Sequence, residues 1–201
     1  MVTFEKYLAA LAFAAVFLLL SPSNATAQDA QTGAPPAPQP AAQKTIDPKL
    51  PSLFVVGDST ANNNAKGQQG WADPFAAFFD TTKINVVNRA RAGRSSRTFM
   101  TEGLWDNALE LMKPGDTVLI QFGHNDGGPL DTGRARGSLP GTGEETREVA
   151  RADGRKEVVY TFGHYLRGFI ADAKAKGVTP ILLSLTVRNI WKDGKVVAEK
   201  P

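Results

Sequence analysis

A three-layer α/β/α sandwich built on a parallel sheet is the fold class this sequence predicts, and three observations predict it. Short, continuous apolar runs recur along the chain, as strands covered on both faces require. Segments of helical apolar spacing separate those runs, which implies right-handed crossovers and parallel strands. Each of the first three runs ends in a turn rich in Gly, Asn, Ser or Asp.

Taken in order, Leu53-Phe54-Val55-Val56 is the first strand, closed by Gly57. Asp73-Pro74 opens a helix, with Asp as its N-cap and Pro at its preferred first position. Phe75, Phe78 and Phe79 fall on one face of it. Ile84-Asn85-Val86-Val87 is the second strand. A short helix from Trp105 to Met112 ends at Lys113-Pro114-Gly115, because Pro cannot continue it. Thr117 to Gln121 is the third strand. Residues 127 to 157 hold seven glycines and many charges, and read as a long loop insertion. Val159, Phe162, Leu166, Phe169, Ile170 and Ala173 keep helical spacing up to a stop at Gly177. Pro180 to Leu183 is the fourth strand.

Three segments divide the chain. Residues 1 to 27 read as an export signal: the run from Leu8 to Leu20 is uncharged, and Ala25-Thr26-Ala27 has the small-x-small pattern of a cleavage site. That run falls short of the ~20 residues a spanning helix needs. The mature protein is therefore expected to start at Gln28, to be secreted or periplasmic, and to keep no membrane span; an uncleaved anchor is the alternative. Residues 28 to 50 form a Pro/Ala/Gln-rich linker with nothing to pack a core. Residues 51 to 201 are the folded domain, long enough to bury one core without disulfides.

Composition excludes several chemistries. The chain has no cysteine, so it carries no disulfide framework, thiolate metal site or cysteine nucleophile. Two histidines leave little for a metal centre, and no metal-ligand spacing occurs; the expected cofactor is none. Lys and Arg number 23 against 20 Asp and Glu, and a net charge of +3 is too small to argue for a nucleic-acid partner. Oligomeric state leaves no mark in the sequence.

In open α/β sheets ligands bind at the carboxyl ends of the strands, so the three turns should converge on one site. The first is Gly57-Asp58-Ser59-Thr60, where Ser59 can present its hydroxyl at the sheet edge. No G-x-S-x-G occurs, which excludes the usual α/β-hydrolase elbow. The second, Asn88 to Arg97, contains Gly93, able to bring a bare N–H close to a ligand. The third, Gly123-His124-Asn125-Asp126, contains the side-chain amide of Asn125. An N–H and an amide beside a serine have the make-up of an oxyanion hole. The four arginines of the second turn (89, 91, 94 and 97) read equally as a site for uronate carboxylates or as a salt-bridged loop. Trp71, Trp105 and Trp191 suit sugar stacking or the core.

This spacing resembles the SGNH (GDSL-type) hydrolases, and more closely their rhamnogalacturonan acetylesterase-like members. Six blocks carry the resemblance, in order: Gly57-Asp58-Ser59-Thr60, Gly70-Trp71, Gly93-Arg94-Ser95-Ser96, Gln121 to Asp126, Leu139 to Thr146, and Arg188-Asn189-x-Trp191. The resemblance implies a flavodoxin-like sandwich and deacetylation of plant cell-wall polysaccharide of the pectin type. It implies Ser59 as nucleophile and the N–H groups of Ser59 and Gly93 with the amide of Asn125 as oxyanion hole. Arg94 and Trp71 are the weaker expected contacts to an acetylated, anionic pectin-like substrate. Asp58 and Asp126 would shape their turns.

One block of that pattern is missing. The family draws its catalytic Asp and His from a D-x-x-H block after a fifth strand, and the 201 residues contain none. The expectation is a domain without its last strand and helix, a poor esterase as it stands. His124 and His164 are the remaining candidates for a base, and both suit structural roles better. A non-catalytic glycan-binding or inactive product is the alternative in another class. An acetylxylan or lipid esterase is the alternative within the enzymes.

Overall fold

The computed structural model describes residues 45–186 and 188–197. The segment expected to be an export signal and most of the expected linker lie outside the described residues. A four-stranded parallel sheet forms the centre of the domain: β1 (Ser52–Gly57), β2 (Asn85–Asn88), β3 (Thr117–Gln121) and β6 (Thr179–Leu182), ordered β2-β1-β3-β6. Among the described residues three short α-helices and one long one accompany it: α1 (Ala72–Phe75), α2 (Ser96–Thr101), α3 (Leu104–Glu110) and the long α4 (Phe162–Ala175).

The period of two along β1 makes the layers. Phe54 and Val56 join Val118 and Ile120 on one face, where Phe99 of α2, Trp105 of α3 and Phe169 of α4 close the larger core. Leu53, Val55 and Leu119 face the other way, onto Ala72, Trp71, Phe75 and Phe79. Helices on both faces of a parallel sheet give the α/β/α sandwich. All six β1 residues are buried, as their unbroken apolar run requires.

Several elements differ from the sequence pattern. The helix expected from Asp73 is a four-residue α1 followed by a 3₁₀ turn at Ala76–Phe78, and Trp71 rather than Asp73 occupies its N-cap. Its entry is set by the first turn, because Trp71 N donates to the Thr60 carbonyl and Ala72 N to that of Ala61. Asp73 instead accepts from Asn88 Nδ2 at 2.8 Å, and Phe78 is 84% exposed, away from the core. The long helix starts at Phe162, not at Val159, because the side chain of Thr161 caps it by accepting from His164 N. Gly177, at φ 74°, ends it as expected.

The expected loop of 127–157 contains a hairpin instead, β4 (Thr146–Ala150) paired antiparallel with β5 (Lys156–Tyr160). Of its ten residues only Val149 and Val159 are buried, so charge concealed the alternation. A second hairpin pairs β7 (Trp191–Lys192) with β8 (Lys195–Val196) through Asp193-Gly194, both at positive φ. The domain also begins before residue 51. Asp47 N donates to Asn85 Oδ1, Lys113 holds the carbonyls of Pro48 and Leu50, and Ile46 packs on the larger core. Strand β6 leaves Ile181 and Leu182 more than two-fifths exposed, unlike the doubly covered strand its apolar run suggests.

Candidate active site

Strand order reverses between β1 and β3, and a ligand crevice is expected beyond the carboxyl ends of strands at such a switch. Gly57 and Gln121 face each other there in register. A Cβ on Gly57 would come 2.5 Å from the Gln121 carbonyl oxygen, so no larger residue fits. Asp58 is buried and builds the first turn: its carboxylate accepts from Thr60 N at 2.8 Å, and its carbonyl accepts from Ala61 N and Asn62 N. Ser59 follows it, partly exposed, and its hydroxyl bonds to no described residue. Gln121 Oε1 accepts from both Thr60 Oγ1 (3.0 Å) and Trp71 Nε1 (2.6 Å), which ties the first turn to the end of β3.

The second turn is bonded to the first. Arg91 N donates to the Gly57 carbonyl at 2.9 Å, and Asn62 Nδ2 to that of Ala90 at 2.7 Å. Gly93 sits at φ 79°, a left-handed conformation that favours glycine. Ser95 then starts α2 with a reciprocal cap: its hydroxyl accepts from Thr98 N, and its own N–H donates to Thr98 Oγ1. An S-x-x-T spacing carries that signal in the sequence, although the segment reads there as turn.

The third turn locks onto the second. Asn125 is buried and its Nδ2 donates to the Arg94 carbonyl at 2.7 Å, which brings the amide beside the residue after Gly93. Asp126 is fully buried, and its carboxylate accepts from Ser96 N, from the Ser96 hydroxyl and from Ser138 Oγ. Burial pushes its pKa up to about 6 against the opposing effect of those bonds, with the Asp58 charge adding a little. From the insertion, Arg136 Nη1 donates to the Gly93 carbonyl at 3.0 Å. Burial, with the charges of Arg134 and Arg188, holds the Arg136 guanidinium below the ordinary arginine pKa. No spacing in the sequence points to Arg136.

Ser59, Gly93 and Asn125 thus lie on three turns that are hydrogen-bonded to one another. Neither histidine bonds to Ser59. Nε2 of His124 is buried without a partner, while its carbonyl accepts from Arg188. His164 stacks on Tyr160 with ring centroids 4.1 Å apart and meets Glu144, on the far hairpin side of α4.

The arginines of the second turn part company. Arg97 is fully buried: it grips both carboxylate oxygens of Glu157 (2.8 and 2.7 Å) and the carbonyls of Leu130 and Gly137. Burial works to raise the Glu157 pKa, but the bonds and charges of Arg97 and Arg151 outweigh it and bring it down to about 2. This arginine is a structural clamp and not part of a substrate-facing charge patch. Arg94 pairs with Glu102 at 2.8 Å. Trp105 is core, with Nε1 bonded to Asp172. Trp71 is half-buried against Phe75, and Trp191 is exposed. An apolar cavity of about 300 Å³ lies instead beside β6, lined by Phe122, Phe162, Leu166 and Leu182 among others, and no turn residue of the site reaches it.

No family model matches the chain. Rhamnogalacturonan acetylesterase of Emericella nidulans is 35% identical over 143 residues, which are 71% of this chain and 56% of that protein. Rhamnogalacturonan acetylesterase RhgT of Bacillus subtilis is 29% identical over 148 residues, 72% of this chain and 53% of the relative. Among solved structures, the YxiM protein of Bacillus subtilis aligns at 27% identity with a TM-score of 0.48, over 66% of this chain and 32% of that one. The chain spans little more than half the length of the two curated relatives.

Proposed function

We propose that this homologue of the rhamnogalacturonan acetylesterases is an exported serine esterase that removes acetyl groups from pectin-type glycan. The observation that carries the proposal is that the turns bearing Ser59, Gly93 and Asn125 are hydrogen-bonded to one another, while the Ser59 hydroxyl bonds to no described residue. Ser59 Oγ would attack the acetyl carbonyl, and the carbonyl oxygen would take up negative charge. The N–H groups of Ser59 and Gly93 and the second amide hydrogen of Asn125 suit that charge, and such donors act most strongly in the transition state. Collapse breaks the bond between the acetyl carbon and the sugar oxygen: the sugar leaves as a hydroxyl, taking up the proton that Ser59 gave up, and the acetyl group stays on Ser59 as an ester. Water then releases acetate. Neither histidine bonds to Ser59.

A second reading has its own observation. Among the described residues no base bonds to Ser59, and a serine without a neighbouring base is a weak nucleophile, as suits a glycan-binding protein that does not turn over its ligand. Acetate release from acetylated rhamnogalacturonan and acetylated xylan separates the readings. The esterase reading expects release from the first substrate, abolished in Ser59→Ala. Release that survives Ser59→Ala contradicts it, and binding without release supports the second reading. Recovery outside the cytoplasm with Gln28 as the first residue tests export.

A further inference from the structure

The second turn's arginines were the expected source of positive charge, and two of the four are engaged elsewhere: Arg97 by Glu157 and Arg94 by Glu102. Further charge at the site comes from the insertion. Arg136 lies with its stem over Gly128, whose Cβ would come within 3.5 Å of Arg136 Cγ, and with one guanidinium nitrogen on the Gly93 carbonyl. A Cβ on Gly93 would meet that same nitrogen at 3.6 Å. The guanidinium therefore sits beside the turn whose N–H faces the acetyl carbonyl in the proposed reaction.

Its surroundings concentrate positive charge. Arg134 and Arg188 are close enough to repel it, and neither Arg136 nor Arg134 has a carboxylate within ion-pair distance among the described residues. The two carboxylates that attract it, Asp58 and Asp126, are buried and already hold Thr60 N, Ser96 and Ser138. The loop that presents it is fixed: Arg136 N and Gly137 N both donate to the Pro129 carbonyl, and Ser138 N to that of Asp126. A positioned, partly desolvated guanidinium with donors to spare is suited to a carboxylate, which it can take in bidentate fashion.

Resting on the esterase reading above, we propose that Arg136 is the residue that recognises a uronate carboxylate next to the acetylated sugar, with Arg134 adding to the local charge. Arg136 then sets preference for an acidic glycan over a neutral one, and the Arg94–Glu102 pair does not. The test is calorimetric titration of the chain with a deacetylated rhamnogalacturonan oligosaccharide and with its carboxyl-reduced, neutral counterpart. The protein is expected to bind the acidic form ~10-fold more tightly at low salt. Arg136→Gln should bring the two affinities within about twofold by weakening the acidic ligand alone, Arg136→Lys should keep part of the preference, and Arg94→Gln all of it. Equal affinity for both ligands, binding of neither, an equal loss of both in Arg136→Gln, or transfer of the effect to Arg94→Gln would each overturn the proposal. The esterase reading fails separately, through acetate release that ignores Ser59→Ala, and that result leaves a carboxylate preference standing.

Discussion

The second and third turns are built quite differently from the first. Around Gly93 and Asn125 nearly every polar group is committed: Asn125 to the Arg94 carbonyl, Asp126 to Ser96 and Ser138, Arg97 to Glu157 and two carbonyls, Ser95 and Thr98 to each other. The first turn spends its bonds on its backbone and on Gln121, and leaves the Ser59 hydroxyl without a partner among the described residues. Groups that stabilise a developing charge work best when fixed in advance, whereas a nucleophile must be free to move onto its target. The contrast shows which side of the site the fold rigidifies.

Arg97→Ala should break this comparison most severely. It would empty the place of a fully buried side chain, strip a bidentate pair from the part-buried Glu157 carboxylate and leave two carbonyls without that donor, at a cost of about 3–5 kcal/mol. A fall in Tm of many degrees, read by circular dichroism, checks it. Asn125→Ala comes next. In the esterase reading it should lower kcat by ~10²–10³ with little change in KM, because an oxyanion donor acts in the transition state. A loss confined to KM would make Asn125 a substrate contact.

The two shifted carboxylates give stability profiles of opposite sign. Asp126 holds its proton up to about 6 in the fold against an ordinary 3.8. Its contribution is therefore present below 3.8 and is lost as pH rises through about 6, on the order of 3 kcal/mol. Glu157 is depressed from 4.5 to about 2, so its contribution is present above 4.5 and is lost as pH falls toward 2. Urea denaturation across pH should show Asp126→Asn flattening the first window only and Glu157→Gln the second only. Arg94→Ala, by contrast, removes a half-exposed pair and should cost no more than about 1 kcal/mol.

Much of this was legible in the sequence because burial writes itself in plain patterns. The unbroken run Leu53 to Val56 and the Gly or Asn after each strand place the sheet and its three turns. What stayed hidden has physical causes. The hairpin at 146–160 buries one residue per strand, so its charged surface masks the alternation, and Asp153-Gly154 was its only strong local mark. The α2 cap lay inside a segment whose glycine and serines suggest a loop. Arg97 and Arg136 carry the same side chain, and only long-range packing decides that one clamps the core while the other stands at the site.

The central assignment is that Ser59 is the nucleophile facing the Gly93–Asn125 side. A fluorophosphonate probe, which marks serines that attack an electrophilic centre flanked by oxyanion donors, tests it directly, with the modified peptide mapped by mass spectrometry. The account predicts a single adduct on the peptide carrying Ser59, absent from Ser59→Ala and reduced in Asn125→Ala. An adduct on another residue, or one that persists in Ser59→Ala, would contradict it.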